Sequence, residues 1–298
     1  MTSRAELDRQ YSPSRLVPDL GHYLDEYARL SAAARQAPGV RIGVPYGPAP
    51  EQRLDLWPAP RAGVPQAGAP LQIFVHGGNW QELTEQSSAF VALPFQRAGA
   101  AFAAAGYRLA PGARLDEIVA DVRRCVRWLH QHAPELGVDP RRIHLSGTSA
   151  GAHLAAMALI PSGPDDPGAA GLVAGAALLS GIYDLEPVSR CYVNDALHLD
   201  AAAVRRNSPP LLLPDRPQAV LPPVILARGG HETQEYIRQH DLMASALRRH
   251  GVAVQEVVEP GRNHFDLPYD LADPSSALGR AVRAQLGLPG PAHTHGGE

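Results

Sequence analysis

Apolar residues recur along this chain in two rhythms. Residues 18–35 place Leu20, Tyr23, Leu24, Tyr27 and Leu30 three and four positions apart, one face of a helix, and predict an amphipathic N-terminal helix. Two short extended runs follow, VRIGVPY (40–46) and RLDLWPA (53–59), parted by the turn-forming stretch Gly47-Pro48-Ala49-Pro50; they predict a β-hairpin at a sheet edge. From residue 71 onward, short apolar runs take turns with helical patterns. LQIFVHGG, GAAFAAAGYRL, RRIHLSG, GAALLSGIY, PPVILARGG and VAVQEVVEP are six strand candidates. The helix at 115–133 carries Leu115, Ile118, Val119, Val122, Val126 and Leu129 on one side and is closed by Gly137 and Pro140. Such alternation predicts an α/β fold built on a mainly parallel sheet covered on both faces. Residues 186–222 interrupt it with a Pro-rich stretch that reads as an insertion or lid, and residues 289–298 read as a mobile tail on a single domain spanning 1–298.

Composition narrows the function classes. A chain of 298 residues with 45% hydrophobic and 19% charged residues is near the upper size for one core. Its 27 Lys and Arg against 30 Asp and Glu, with no long run of either sign, give no sign of a polyanion-binding surface, so no nucleic-acid partner is expected. Cys125 and Cys191 lack metal-ligand or disulfide-scaffold spacing, and the two tail histidines make no convincing metal site. The N-terminus lacks an apolar core, and no stretch approaches the roughly 18 apolar residues of a membrane span. A cytoplasmic protein without membrane contact is expected, and a homodimer is compatible with all of this.

The chemistry begins with Gly147-Thr148-Ser149-Ala150-Gly151. Residue frequencies alone would write G-x-S-x-G in this chain roughly 0.13 times, so the context must decide. RRIHLSG before it reads as a strand and GAHLAAMALI after it as a helix, the setting in which a strained turn exposes a nucleophilic serine. Serine needs a histidine to take its proton and a carboxylate to orient that histidine, in the order Ser, acid, His for this architecture. His264 fits best, following a late strand and a Pro260-Gly261 turn. His76 and His153 sit beside the nucleophile-side loops, and His231 and His240 precede the last strand; His153 reads as packed at the start of the elbow helix. Glu232, just past PPVILARGG, is the preferred acid. Asp184 after SGIY is its rival, and Asp266 reads better as a turn or helix cap. The HGGNW loop offers backbone N–H groups at Gly78 and Asn79, and the residue after the nucleophile, Ala150, offers a third for an oxyanion. No Gly-rich phosphate loop with Lys is present, which leaves a nucleotide site unsupported.

HGGNW, GYRLAP, ELGVDPRRIHLSGTSAGAHLA, SGIYDLEP, ETQEYIRQ and NHF together resemble the arylformamidase (kynurenine formamidase) type of α/β-hydrolase. The likeness extends to YSPSRLVPDL and VPYGPAPEQRLDLWP; the HGG and RLAP features are shared more widely with hormone-sensitive-lipase-like esterases. The resemblance implies hydrolysis of an aryl formamide such as N-formyl-L-kynurenine to kynurenine and formate, as a step of tryptophan catabolism, without metal or cofactor. It matches Ser149 to the nucleophile, His264 to the base and Glu232 to the acid, where many relatives carry Asp. The expected partner is a small aromatic amide or ester, against which Trp80, Tyr183 and Phe265 could form apolar walls. A broad carboxylesterase or deacylase of a biosynthetic pathway is the nearest alternative, and a non-catalytic ligand binder on the same fold is the alternative of another class.

Overall fold

The computed structural model describes residues 2–60, 68–161, 168–213 and 220–289. Eight strands form one sheet: β1 (Arg41–Pro45), β2 (Arg53–Trp57), β3 (Ala69–Val75), β4 (Ala101–Ala105), β5 (Val138–Thr148), β6 (Gly175–Leu179), β7 (Val224–His231) and β8 (Val254–Asn263), in the order β1-β2-β4-β3-β5-β6-β7-β8. The predicted hairpin is the antiparallel β1–β2 pair at one edge, and β2 also runs antiparallel to β4; all other pairs are parallel.

The helices are α1 (Arg4–Gln10), α2 (Leu20–Ala34), α3 (Ala92–Arg97), α4 (Leu115–Gln131), α5 (Ala150–Leu159), α6 (Asn194–Leu197), α7 (Ala201–Arg206), α8 (Pro209–Leu212), α9 (Gln234–Arg249) and α10 (Ala277–Gln285). Because successive residues of a strand point to opposite faces, each central strand feeds two cores. Leu71, Ile73 and Val75 of β3 pack with Val122, Val126 and Leu129 of α4 and with Leu154 and Met157 of α5. Phe74 between them packs with Tyr27 of α2, Phe95 of α3 and Val282 of α10. Both faces are therefore covered, and β3 is buried along its whole length. That is why its sequence shows a continuous apolar run rather than an alternating one.

Two sequence expectations are corrected. Pro260-Gly261 is not a turn: both residues lie within β8, an edge strand, where a residue without N–H can sit on the unpaired side. Moreover, α1 has no counterpart in the sequence reading, since it is seven residues long and buries only Leu7. The 186–222 segment folds into α6 to α8, with Val188, Val193 and Val204 joining the core and 214–219 outside the described residues. The predicted tail lies outside them too, apart from Pro289. Among the described residues no helix is long and apolar enough to cross a membrane.

The order of the strands also fixes where chemistry can occur. After β3 the chain moves outward to β4, then returns past β3 to β5 and continues the other way. The connections leaving β3 and β5 diverge to opposite faces, which opens a crevice at the carboxyl ends of these two neighbours.

Three of the histidines buried in this framework are held strongly neutral. Burial pulls His76, His144 and His153 each down to about 4 from an ordinary 6.5. The native state keeps them neutral, whereas the unfolded chain protonates them below about pH 6.5. Their stabilising contribution is thus full above that pH and shrinks as pH falls toward 4, by up to about 3 kcal/mol for each histidine. Urea unfolding at a series of pH values between 7 and 4 should show this decline, and His144→Gln should make it shallower.

Candidate active site

Ser149 sits between β5 and α5 with φ 55° and ψ −122°, a left-handed backbone that a serine adopts only under constraint. The neighbours supply it. A Cβ on Gly151 would lie 2.1 Å from the carbonyl oxygen of Val75 and 2.3 Å from that of His76, and one on Gly147 would lie 2.2 Å from the carbonyl oxygen of Gly151. Only glycine at both places lets α5 start this close to the end of β3. The Ser149 N–H donates to Leu179 O at 2.8 Å, which ties the turn to β6 as well.

The loop after β3 faces this turn across the crevice. Gly78 and Asn79 have φ of 93° and 52° and line the same pocket as Ser149. Their N–H groups donate to no carbonyl among the described residues, and Ala150 opens α5, where an N–H has no carbonyl one turn back. Trp80 does not line the pocket, contrary to expectation, and neither does Tyr183; both are fully buried. Trp80 instead anchors the loop. Its indole N–H donates to His153 Nδ1 at 3.2 Å with the rings edge-on, while His153 Nε2–H donates to Asn207 O at 2.7 Å, a pairing that requires a neutral imidazole. Phe265, by contrast, does line the pocket.

Glu232 and His264 are brought together by strand register. β7 and β8 run parallel beyond the rest of the sheet, with His231 paired to Asn263, so the next residue of each is Glu232 and His264. His264 Nδ1–H faces the Glu232 carboxylate at 3.2 Å and 3.3 Å from its two oxygens. Both side chains are buried, and the Ser180 hydroxyl, just past β6, donates to Glu232 Oε1 at 2.5 Å. Two donors compensate a carboxylate that would otherwise be costly to enclose. His264 shares the pocket with Ser149.

Asp184 is occupied elsewhere: its carboxylate accepts from Arg238 Nη1 at 3.0 Å and from the Glu186 N–H. Asp266 accepts from the Asn263 N–H and side-chain amide, holding the turn that carries His264. His76 is stacked on Tyr107, His240 donates toward Glu256, and His231 is exposed, so none of the three points at Ser149. His240, Asp241 and Glu256 could reach a common cation, yet they lie outside the pocket, and Glu256 is already paired with Arg248.

The pocket has a volume of about 240 Å³ and is roofed by the N-terminal segment: Ser12, Pro13, Ser14, then Leu20, Leu24 and Tyr27 of α2. The same segment clamps the Glu232 loop. Thr233 Oγ1–H donates to Gln10 O at 2.6 Å, the Tyr11 hydroxyl donates to Glu235 at 2.9 Å, and Gln239 Nε2–H donates to the Tyr11 oxygen at 2.8 Å. Sequence reasoning missed Ser180, Tyr236 and this clamp. Ser180 had a faint signal as a polar residue closing an apolar strand; the clamp had none, because its partners are more than two hundred positions apart.

The likeness to known proteins follows the same lines. A family model described as BD-FAE matches residues 55–164. A kynurenine formamidase of Danio rerio is 32% identical over 96% of this chain and 97% of its own length. The chain belongs to the kynurenine formamidase family. A second member of that family, from Drosophila melanogaster, is 28% identical over 72% of each chain. Among solved structures, a Silicibacter sp. TM1040 protein described as a thioesterase superposes with a TM-score of 0.79 at 27% identity, covering 93% of this chain and 98% of its own. EstE1, a carboxylesterase from a metagenomic library, gives 0.68 at 21% identity over 96% and 98%. The kynurenine formamidase family thus appears here on an α/β-hydrolase fold shared with esterases.

Two substitutions check the local geometry. Ser180→Ala strips the buried Glu232 carboxylate of one of its two donors and should cost about 1–3 kcal/mol in denaturant unfolding. Gly151→Ala forces backbone to move at the centre of the sheet and should cost considerably more, seen as a lower midpoint or loss of soluble protein.

Proposed function

We propose that this protein hydrolyses an aryl formamide, with N-formyl-L-kynurenine as reference substrate, releasing the arylamine and formate. The observation that carries the reading is the single pocket holding Ser149 on its constrained turn together with His264, itself held by the buried Glu232. Kinship with a formamidase along nearly the full chain favours this acyl group over others. A protein that merely bound a ligand would have no use for a serine kept at positive φ beside such a pair.

In this mechanism Ser149 Oγ attacks the formyl carbon while His264 Nε2 takes its proton, and Glu232 holds the imidazole in the tautomer that leaves Nε2 free to accept. The negative charge that develops on the formyl oxygen is met by the N–H groups of Gly78, Asn79 and Ala150; losing such a donor costs about 3 kcal/mol of transition-state stabilisation. As the tetrahedral intermediate collapses, His264 returns the proton to the departing nitrogen, so that a neutral amine leaves. Water then attacks the formyl-enzyme with His264 again as base, giving formate and free Ser149. No step uses a metal ion or cofactor. A place in tryptophan catabolism and in the cytoplasm belongs to the same proposal.

The competing reading, a broad carboxylesterase, draws on the 28% identity to the esterase LipQ of Mycobacterium tuberculosis over 82% of this chain. The deciding measurement is kcat/KM on N-formyl-L-kynurenine against a p-nitrophenyl acyl ester series. The formamide is expected to lead, and a preference for esters by orders of magnitude would replace the formamidase reading with the esterase one. Ser149→Ala should lower kcat by at least about a thousandfold, and Glu232→Gln by up to about ten-thousandfold, through loss of the tautomer that leaves Nε2 free. Asp184→Asn should stay within a few-fold of wild type, and a deep loss there would reassign the acid.

A further inference from the structure

Tyr236, in the first turn of α9, lines the pocket with a buried polar atom that the mechanism leaves unused, as does Thr148, but only Tyr236 is also packed against His264 among the described residues. It is 1% exposed and lines the pocket between Ser149 and His264. Its ring packs edge-on against the His264 imidazole, with centroids 4.5 Å apart, and is flanked on another side by Tyr11 at 6.1 Å. These contacts fix where its hydroxyl points. The residue lines the same pocket as Ser149, and its buried hydroxyl makes no hydrogen bond with any described residue. The neighbouring phenols are spent elsewhere: Tyr192 donates to Tyr11 O at 3.2 Å, Tyr11 to Glu235 and Tyr27 to Phe265 O. A buried hydroxyl without a partner is costly, and a native site retains one where a ligand completes it. Burial and the charge of Glu232 both push the Tyr236 phenol well above its usual range, so at neutral pH it is a donor.

We infer that the Tyr236 hydroxyl is a specificity-determining group, donating a hydrogen bond to an oxygen acceptor that the substrate carries ortho to its formamido nitrogen. The inference rests on the formamidase reading and names which formamides the pocket prefers. With the formyl carbon at Ser149, an acceptor in reach of a hydroxyl whose ring packs on His264 in the same pocket must lie close to the reacting centre. The formyl oxygen is taken by the N–H groups of Gly78, Asn79 and Ala150. What remains on an aryl formamide is an ortho substituent, and an ortho acyl oxygen sits about 2.7–3 Å from the amide nitrogen, within hydrogen-bond reach of it. A site that has buried a donor for such an oxygen discriminates against the analogue that lacks it, because the donor is then left unsatisfied.

The test uses two substrates that differ only in this group, formanilide and 2-formamidoacetophenone, with wild type and Tyr236→Phe, which keeps the ring against His264 and removes the donor. Wild type should favour the ortho-acyl substrate in kcat/KM, and the variant should lose about tenfold of that preference. The ratio of the two kcat/KM values is independent of the fraction of folded enzyme, and a purely structural role for Tyr236 would lower both values together. An unchanged ratio, with both compounds hydrolysed, overturns the inference and leaves the formamidase reading standing. Failure of wild type to hydrolyse either formamide, beside turnover of p-nitrophenyl esters, overturns both.

Discussion

The close approach of α5 to the end of β3 is the constraint on which the rest of the site depends. Glycine at 147 and 151 lets two backbones meet where side chains would collide, and that contact forces Ser149 into its left-handed conformation. The same contact brings the loop after β3 opposite the serine, because both lie at the one place where the strand order reverses. Ser149 and the N–H groups of Gly78 and Asn79 are therefore not positioned independently. They are two consequences of a single packing event between backbone atoms, and this explains why the local sequence there is so poor in side-chain volume.

The other half of the site is organised by electrostatics. Glu232 is buried with a full complement of neighbours, the Ser180 hydroxyl on one oxygen and His264 across both. Three successive strand ends, β6, β7 and β8, each contribute one member of this chain of hydrogen bonds. The parallel register sets the spacing, and the Asn263–Asp266 turn and the Thr233–Gln10 bond hold the two loops against the pull of solvent. A carboxylate enclosed in this way orients the imidazole only as long as every donor stays in place.

Much of this was legible in the sequence, and the part that was not has a physical reason. The central strands and the helix at 115–131 announce themselves in the sequence, since the buried strands β3, β4 and β6 are apolar along most of their length and α4 has a clear apolar face; the edge strands show only as short extended runs beside turn residues. The placement of Ser149, Glu232 and His264 was legible because each directly follows a strand. The misjudged residues were aromatic. Trp80 and Tyr183 adjoin the reactive loops in sequence but turn inward, and only tertiary packing decides which way a ring points. Pro260-Gly261 looked like a turn because local preference says so, and the sheet edge overrode it. The N-terminal clamp was invisible because a bond between Gln10 and Thr233 leaves no trace in either neighbourhood.

That clamp also says something about time. The pocket is closed by residues near the start of the chain meeting residues near its end: Tyr27 donates to the carbonyl of Phe265, and Asn263 donates to Tyr23, across separations of 238 and 240 positions. Contacts of such long range carry the largest loop-closure cost and tend to form late in folding. On the ribosome, the turn that carries Ser149 emerges well before its base and acid partners. The roof can settle only after the last strand has been released. The sheet is thus complete as a scaffold before the roof closes over the pocket, and the roof in turn adds Tyr11 and Tyr27 to the two cores.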